Sequence, residues 1–291
     1  MTVLLGTVAA VLFGVGDLIA GVGGRRDANK NTPSGIALTA SLVGALISGL
    51  YLLMFRTSGP VTSVFTGNDI WWSLAAGLIM SAARPLLYLG MTRGPIMVFA
   101  PVFSLVALVV PAVVAPLVGQ SLAGLEVVGV IIALPAVVLV SSNKRLPTMS
   151  ELKGSSIIGL AVAVGTSVGV GGLFLSFVSE GAGAAPAFVL ATAGLVVIPV
   201  VARGLGQSVI PNKTALVFGG IVGTTSITAI ILSTITYQRG GAAIGSALIG
   251  LSPGVSILLA WRFLKERIWP IQAVGGLLGI VTVVLFALAG T

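Results

Sequence analysis

The sequence predicts an all-α integral membrane protein with about ten transmembrane helices, arranged as two inverted five-helix repeats. Three observations lead to this prediction: a very low content of charged residues, ten apolar segments of bilayer-spanning length, and spaced matches between the two halves of the chain. No segment alternates polar and apolar residues for long enough to suggest a membrane β-barrel.

The composition determines the class of protein. Of 291 residues, 56% are hydrophobic and only 8% are charged, whereas a soluble domain carries about 25% charged residues. A chain with so little charge must present apolar side chains to lipid, so we expect a multi-pass protein of the cell (inner) membrane. The absence of Cys and His excludes disulfides, thiolate chemistry and Cys/His metal sites, and we expect no cofactor.

Ten apolar segments are each close to the roughly 20 residues that cross a bilayer. Trp71, Trp72 and Trp261 stand at segment ends, where aromatic side chains anchor membrane helices. The fourth segment contains three interior prolines, which makes it the best candidate for a hinge. The predicted segments are 2–22, 34–55, 70–91, 95–118, 124–142, 155–178, 184–202, 214–236, 241–261 and 268–289.

The Lys and Arg residues predict an orientation in the membrane. Loops after odd-numbered segments hold 12 of them, whereas the other loops hold only Arg56 and Arg239. Because cytoplasmic loops carry the Lys/Arg excess, this split places both termini outside. The net charge of +8 has the same explanation, and nucleic acid is not an expected partner. The cations of the rich side are Arg25, Arg26, Lys30, Arg93, Lys144, Arg145, Lys153, Arg203, Lys213, Arg262, Lys265 and Arg267.

Spaced matches suggest that the two halves are related. Gly77 and Gly223 lie 146 residues apart, and the Arg-Gly pairs that begin at Arg93 and Arg239 share the same offset. Five helices per half would give the halves opposite orientations, as in many secondary transporters with a midplane site. We therefore divide the chain into a first repeat (1–142), a polar linker (143–154) and a second repeat (155–291).

The second half carries a spaced set of residues near its end. The set is Gly241, Ala242, Ala243, Pro253, Leu264, Lys265, Glu266, Arg267, Gln272, Gly275, Gly276 and Gly279. It resembles the end of an EamA-type repeat of the drug/metabolite transporter superfamily, and Gln120 in the first half stands where Glu266 stands in the second. The resemblance implies a ten-helix inverted repeat that moves a small metabolite by alternating access. Many members place both termini in the cytoplasm, which opposes the charge argument.

Two charged residues lie well inside apolar segments. Asp17 stands eight residues before Arg25, and Arg84 stands nine before Arg93. Both therefore lie about 12–13 Å below the same face of the membrane. Such charges are costly and are functional candidates by default. Arg84 could receive a carboxylate, and Asp17 could bind an amine or a coupling proton, although a buried ion pair that serves packing alone remains open.

Two uncharged residues complete the candidate binding set. Tyr88 follows Arg84 by one helical turn on the same face, as a cavity residue or as an ordinary packing aromatic. Thr228 is our choice from the hydroxyl-rich eighth segment, whose hydroxyls could equally serve interhelical hydrogen bonding.

The sequence favours one function class over two others. A secondary transporter of a small, amino-acid-like or other organic solute, acting in export, agrees best with isolated charges in a helical membrane protein. A channel would need a ring of like residues, which a single chain with one internal Asp and one internal Arg lacks. A membrane enzyme would need an acid/base pair, and none is visible. The expected partners are the small solute, the lipid bilayer and a coupling proton or ion, with the protein a monomer or a weak homo-oligomer.

Overall fold

The computed structural model describes residues 1–27, 29–54, 66–93, 96–120, 124–141, 156–208, 210–264 and 268–289. These residues form α-helices and one short 3-10 turn, with no β-strand among them. The predicted linker (143–154) and Glu266 lie outside the described residues, as do six Lys and Arg residues. Arg56, Lys144, Arg145, Lys153, Lys265 and Arg267 lie outside the described residues.

Connections of 2 to 14 residues separate the helices. The 3-10 turn covers Glu180–Ala182. The α-helices are α1 (Thr2–Arg26), α2 (Thr32–Met54), α3 (Gly67–Arg93), α4 (Ile96–Leu117), α5 (Gly124–Ser141), α6 (Ser156–Leu175), α7 (Ala185–Gly204), α8 (Lys213–Ile249), α9 (Ser252–Leu264) and α10 (Pro270–Ala289).

Within the described residues, six helices are long and apolar enough to cross a membrane. Their outer surfaces are apolar, with Leu46, Val196 and Leu277 exposed by 64%, 68% and 64%. Small and hydroxyl-bearing residues such as Ser41 and Thr234 lie inside, as expected where helices pack closely in lipid. The chain is an all-helical, multi-pass membrane protein, and this part of the prediction is confirmed.

Helix α8 covers the predicted segment 214–236 and the first part of 241–261. Its 37 residues would extend about 55 Å, well beyond the roughly 30 Å core of a bilayer. The helix is broken at Gly241, whose φ of 72° and ψ of 174° are not helical. The predicted segment 241–261 is interrupted again before α9 begins at Ser252. The break coincides with the predicted start of the ninth segment, and a short turn at Gly250 and Leu251 divides that segment into the last part of α8 and α9.

Hydrogen bonds between loops define two ends of the bundle. At one end the α1–α2 and α7–α8 connections meet, since Asn212 Nδ2 donates to Asp27 Oδ2 at 2.7 Å. We call this the basic end, because exposed cations surround it. At the other end the start of α3 meets the α6–α7 connection, since the Ser179 amide donates to Asp69 Oδ1 at 2.8 Å. We call this the opposite end. The described, exposed cations of the basic end are Arg25, Arg26, Lys30, Arg203 and Lys213.

Candidate solute-binding site

A cavity of about 120 Å³ lies between the helices. Residues of α1, α3, α4, α6, α7, α8 and α9 line it, so both halves of the chain contribute. Most of its wall is apolar, with Phe13, Met80, Phe103, Val168 and Ile230 among the side chains that face it. Polar groups on this apolar wall are few, and they determine what the cavity can bind.

Asp17 and Arg84 bring opposite charges to the cavity from α1 and α3. They lie within electrostatic range of each other, yet no direct salt bridge joins them among the described residues. Arg84 Nη1 donates instead to Ser41 Oγ of α2 at 2.9 Å. The guanidinium is thereby held by a neutral partner. Its remaining N–H groups and the Asp17 carboxylate are left to interact with a bound molecule.

Tyr88 lies on the same side of the cavity as the two charged residues. It lines the cavity and is only 5% exposed. It lies within electrostatic range of both Arg84 and Asp17. Three of the four predicted site residues therefore meet on one side of the cavity. Tyr88 also belongs to a buried apolar cluster that includes Ala20 and Ile198.

The structure does not bring Thr228 to this group. The residue is exposed, and its Oγ1 donates to the Thr224 carbonyl within α8 at 3.3 Å. The cavity-facing positions of α8 before its break are Ser226, Ile230, Ser233 and Tyr237, spaced three or four residues apart. A residue two positions after Ser226 points about 200° away around the helix, so Thr228 cannot share their face.

Several lining residues were missed by sequence reasoning. Tyr237 and Ser246 of α8 and Ser104 of α4 all face the cavity and are buried. Ser104 Oγ has no hydrogen-bond partner among the described residues, and a buried hydroxyl without a partner is unusual unless it binds water or a ligand. A lone serine in an apolar helix gives no sequence signal. Tyr237 could have been found, because it follows Ser226, Ile230 and Ser233 at helical spacing.

Comparison with known proteins supports the fold alone. No protein-family model matches the chain, and no curated protein matches it. A solved structure described as "Crystal structure of protein" is similar, with a TM-score of 0.70 at 17% sequence identity. The match covers 99% of this chain and 96% of the other. At that identity the two proteins share a fold over nearly their whole lengths.

The charged groups of the cavity are placed where they could bind a charged solute. Among the described residues, no three or more His, Cys, Asp or Glu side chains cluster as a metal site would require. The charged groups are single and of opposite sign, and they come from different helices. A charged solute loses bound water when it enters the cavity. Contact of its anionic group with Arg84 and of its cationic group with Asp17 would compensate for that loss. The geometry therefore suits a small solute with both charges, or with an anionic group alone.

Proposed function

We propose that this chain is a secondary transporter that carries a small, charged organic solute, amino-acid-like or similar, across the membrane by alternating access. The observation that carries the proposal is the cavity inside an apolar bundle, with Asp17 and Arg84 facing it but not neutralising each other directly. A pair that served packing alone would be expected to form a salt bridge, because an unpaired charge is costly in this environment.

The directions of the helices support two inverted halves, which the EamA resemblance also implies. Helix α1 begins at the opposite end, where Thr2 contacts Gly240, and it ends at the basic end, where Gly24 contacts Thr92. Its counterpart α6 ends at the opposite end, where Ser176 Oγ accepts a hydrogen bond from Gln120. The two helices therefore run antiparallel. Transporters with inverted repeats place the solute site where the halves meet.

Helix packing provides a second line of support. Gly44 of α2 packs against Ala191 and Ile227, and Gly194 of α7 packs against Ser41 and Ser81. Gly44 and Gly194 are 150 positions apart, as are Ser41 and Ala191, while Ser81 and Ile227 are 146 apart. The contacts that Gly44 makes with the second half thus correspond to those that Gly194 makes with the first half. The offset changes because the α2–α3 connection is four residues longer than the α7–α8 connection.

The same correspondence holds for Gly77 and Gly223. A Cβ added to Gly77 would meet Leu190 and Ala193 of α7, and one added to Gly223 would meet Ala40 and Val43 of α2. Leu190 and Ala193 lie 150 positions after Ala40 and Val43. An inverted repeat of ten crossings explains these matches without further assumptions, with the α8 portion after Gly241 and α9 together forming the ninth crossing.

Uptake into proteoliposomes tests the proposal. Radiolabelled amino acids and other small organic acids should include at least one solute whose uptake saturates and responds to an imposed proton or sodium gradient. A channel-type facilitator would show uptake that neither saturates nor accumulates solute against its gradient. The Asp17→Asn, Arg84→Gln double variant, shown to be folded and monodisperse, should lose that uptake. Normal uptake by this variant would contradict the proposal.

A further inference from the structure

The break in α8 is capped by a side chain from the first half. Gly241 has a φ of 72°, a conformation that favours glycine. Because the helix restarts after it, the Ala242 amide lies in a first turn and lacks an internal acceptor. Gln120, which follows the end of α4, provides one, since its Oε1 accepts from the Ala242 amide at 2.9 Å.

The same side chain binds a third segment. Gln120 Nε2 donates to Ser176 Oγ, just after α6, at 2.8 Å. Ser176 Oγ in turn donates to the Leu173 carbonyl at 2.6 Å. One carboxamide therefore joins the end of α4, the end of α6 and the break in α8. All three segments lie at the opposite end of the bundle.

Tyr237 fills the space between two of these segments. Its side chain lines the cavity and is 3% exposed. A Cβ added to Gly172 of α6 would lie 2.8 Å from the tyrosine ring and hydroxyl, and one added to Gly245 would lie 2.4 Å from the ring. The ring therefore occupies the gap between α6 and the part of α8 that follows the break. It stands one helical turn before Gly241, about 6 Å along the helix.

We propose that Gln120 is the latch of a gate at the opposite end, and that Tyr237 is the part of this gate that closes the cavity. While the carboxamide joins α4, α6 and α8, the gap around Tyr237 cannot widen. Release of the carboxamide lets α6 and the segment after Gly241 separate, and the cavity then opens at this end. Neutral hydrogen bonds suit a latch, because their exchange with water costs little net free energy and they can re-form.

The consequence for transport rests on the proposed function, but the closed gate can be tested without any solute. The chain has no native cysteine, so Ser246→Cys introduces a single thiol. Ser246 lines the cavity, is 4% exposed and lies five residues beyond the break. In purified protein, a small, positively charged methanethiosulfonate reagent should modify this thiol slowly. Adding Gln120→Ala should raise the rate about tenfold, since two hydrogen bonds are lost.

Gln207→Ala is the matched control. Gln207 is likewise a glutamine that is hydrogen-bonded to a serine, since its Oε1 accepts from Ser34, but it is buried at the basic end. Its substitution should leave the rate at Ser246→Cys within about twofold of the parent. Ser176→Ala removes one of the two Gln120 bonds and should give an intermediate rate, so it decides the question if Gln120→Ala does not fold.

Three results would overturn the inference: a parent thiol that already reacts as fast as a free one, equal rates for Gln120→Ala and the parent, or equal acceleration by Gln207→Ala. A failure of uptake with the expected labelling pattern would count against the proposed function alone. Saturable uptake with no effect of Gln120→Ala on labelling would count against the gate alone.

Discussion

The two ends of the bundle are closed in different ways. At the basic end, loops bind loops: Asn212 Nδ2 donates to Asp27 Oδ2 and to Thr32 Oγ1, and the Ser208 amide donates to Asn31 Oδ1 at 2.8 Å. At the opposite end, Gln120 binds the backbone of a broken helix. The first closure joins the connections that lead into α2 and α8. The second joins helices directly around the cavity.

The two ends nevertheless have one feature in common, a polar side chain that caps the start of a helix. Asn212 Oδ1 accepts from the Ala215 amide and so caps α8, while Thr66 Oγ1 accepts from the Asp69 amide at the start of α3. Asn212 and Thr66 are 146 positions apart. Each lies where a helix start meets a loop of the other half. The shared caps hold the two halves together, and Gln120 with the Gly241 break is the feature that makes the opposite end different.

The largest expected effect concerns which side of the membrane each end faces. A cysteine either reacts with an impermeant reagent in intact cells or does not. Single cysteines at Thr2, near the opposite end, and at Lys30, at the basic end, should differ in reaction with an impermeant maleimide added to intact cells. The cation excess predicts that the basic end lies in the cytoplasm. Thr2→Cys should label before lysis and Lys30→Cys only after it. The reverse pattern would favour the EamA habit of cytoplasmic termini.

The next effect is on solute binding at the charged side of the cavity. Arg84→Gln removes one partner of a desolvated charge pair, a change that costs about 2–5 kcal/mol. Affinity for the transported solute should therefore fall at least about 30-fold. Arg84→Lys keeps the charge but loses the planar fork, so it should recover only part of the affinity. Isothermal calorimetry or binding of labelled solute to purified protein measures this.

Ser41→Ala provides the control for Arg84. It removes the neutral acceptor of Arg84 Nη1 but leaves the guanidinium in place. We expect a loss of about tenfold or less, because one hydrogen bond contributes about 1 kcal/mol. If Ser41→Ala and Arg84→Gln weaken binding equally, Arg84 acts through its position in the packing and does not contact the solute.

A smaller effect is expected on stability where α2 crosses α8. Gly223→Ala would place a Cβ 2.7 Å from Val43 Cβ and 2.9 Å from the Ala40 carbonyl, and such overpacking costs about 1–3 kcal/mol. Its counterpart Gly77→Ala meets its nearest atom at 3.0 Å and should cost less. Gly220→Ala, with nothing within 4 Å of the added Cβ, is the control. Thermal unfolding in detergent should rank the three in that order.

The sequence alone was enough to predict a helical membrane protein and to identify the charged residues that line the cavity. Apolar segments of bilayer length predict helices because backbone groups in lipid must be bonded within the segment. Asp17 and Arg84 were identifiable because internal charges are costly and therefore rare. Their common depth followed from the spacing to Arg25 and Arg93. These inferences need only the local sequence and the thickness of a bilayer.

The closure at the opposite end could not be predicted in the same way. Three prolines made α4 the expected hinge, yet α4 is helical from Ile96 to Leu117, and the break lies at Gly241. A predicted segment begins at residue 241, but nothing local indicated that Gln120 would accept a hydrogen bond from the Ala242 amide, 122 positions away. The position of Thr228 outside the cavity lining was not predictable for a related reason, because hydroxyl content alone does not tell which face of a helix meets the cavity.

The smallest expected effect concerns the ion pair that lies beside the latch. Arg239 Nε and Glu180 Oε2 are 3.2 Å apart, but the side chains are 42% and 61% exposed. Water and salt screen such a pair, so it should contribute about 0.2–1 kcal/mol. Glu180→Gln should therefore change the thermal midpoint and the labelling of Ser246→Cys far less than Gln120→Ala does, and the small change should vanish in high salt. If Glu180→Gln opened the cavity as effectively as Gln120→Ala, the ion pair would be the principal closure of this end. The carboxamide would then serve only to cap the helix that begins at Ala242.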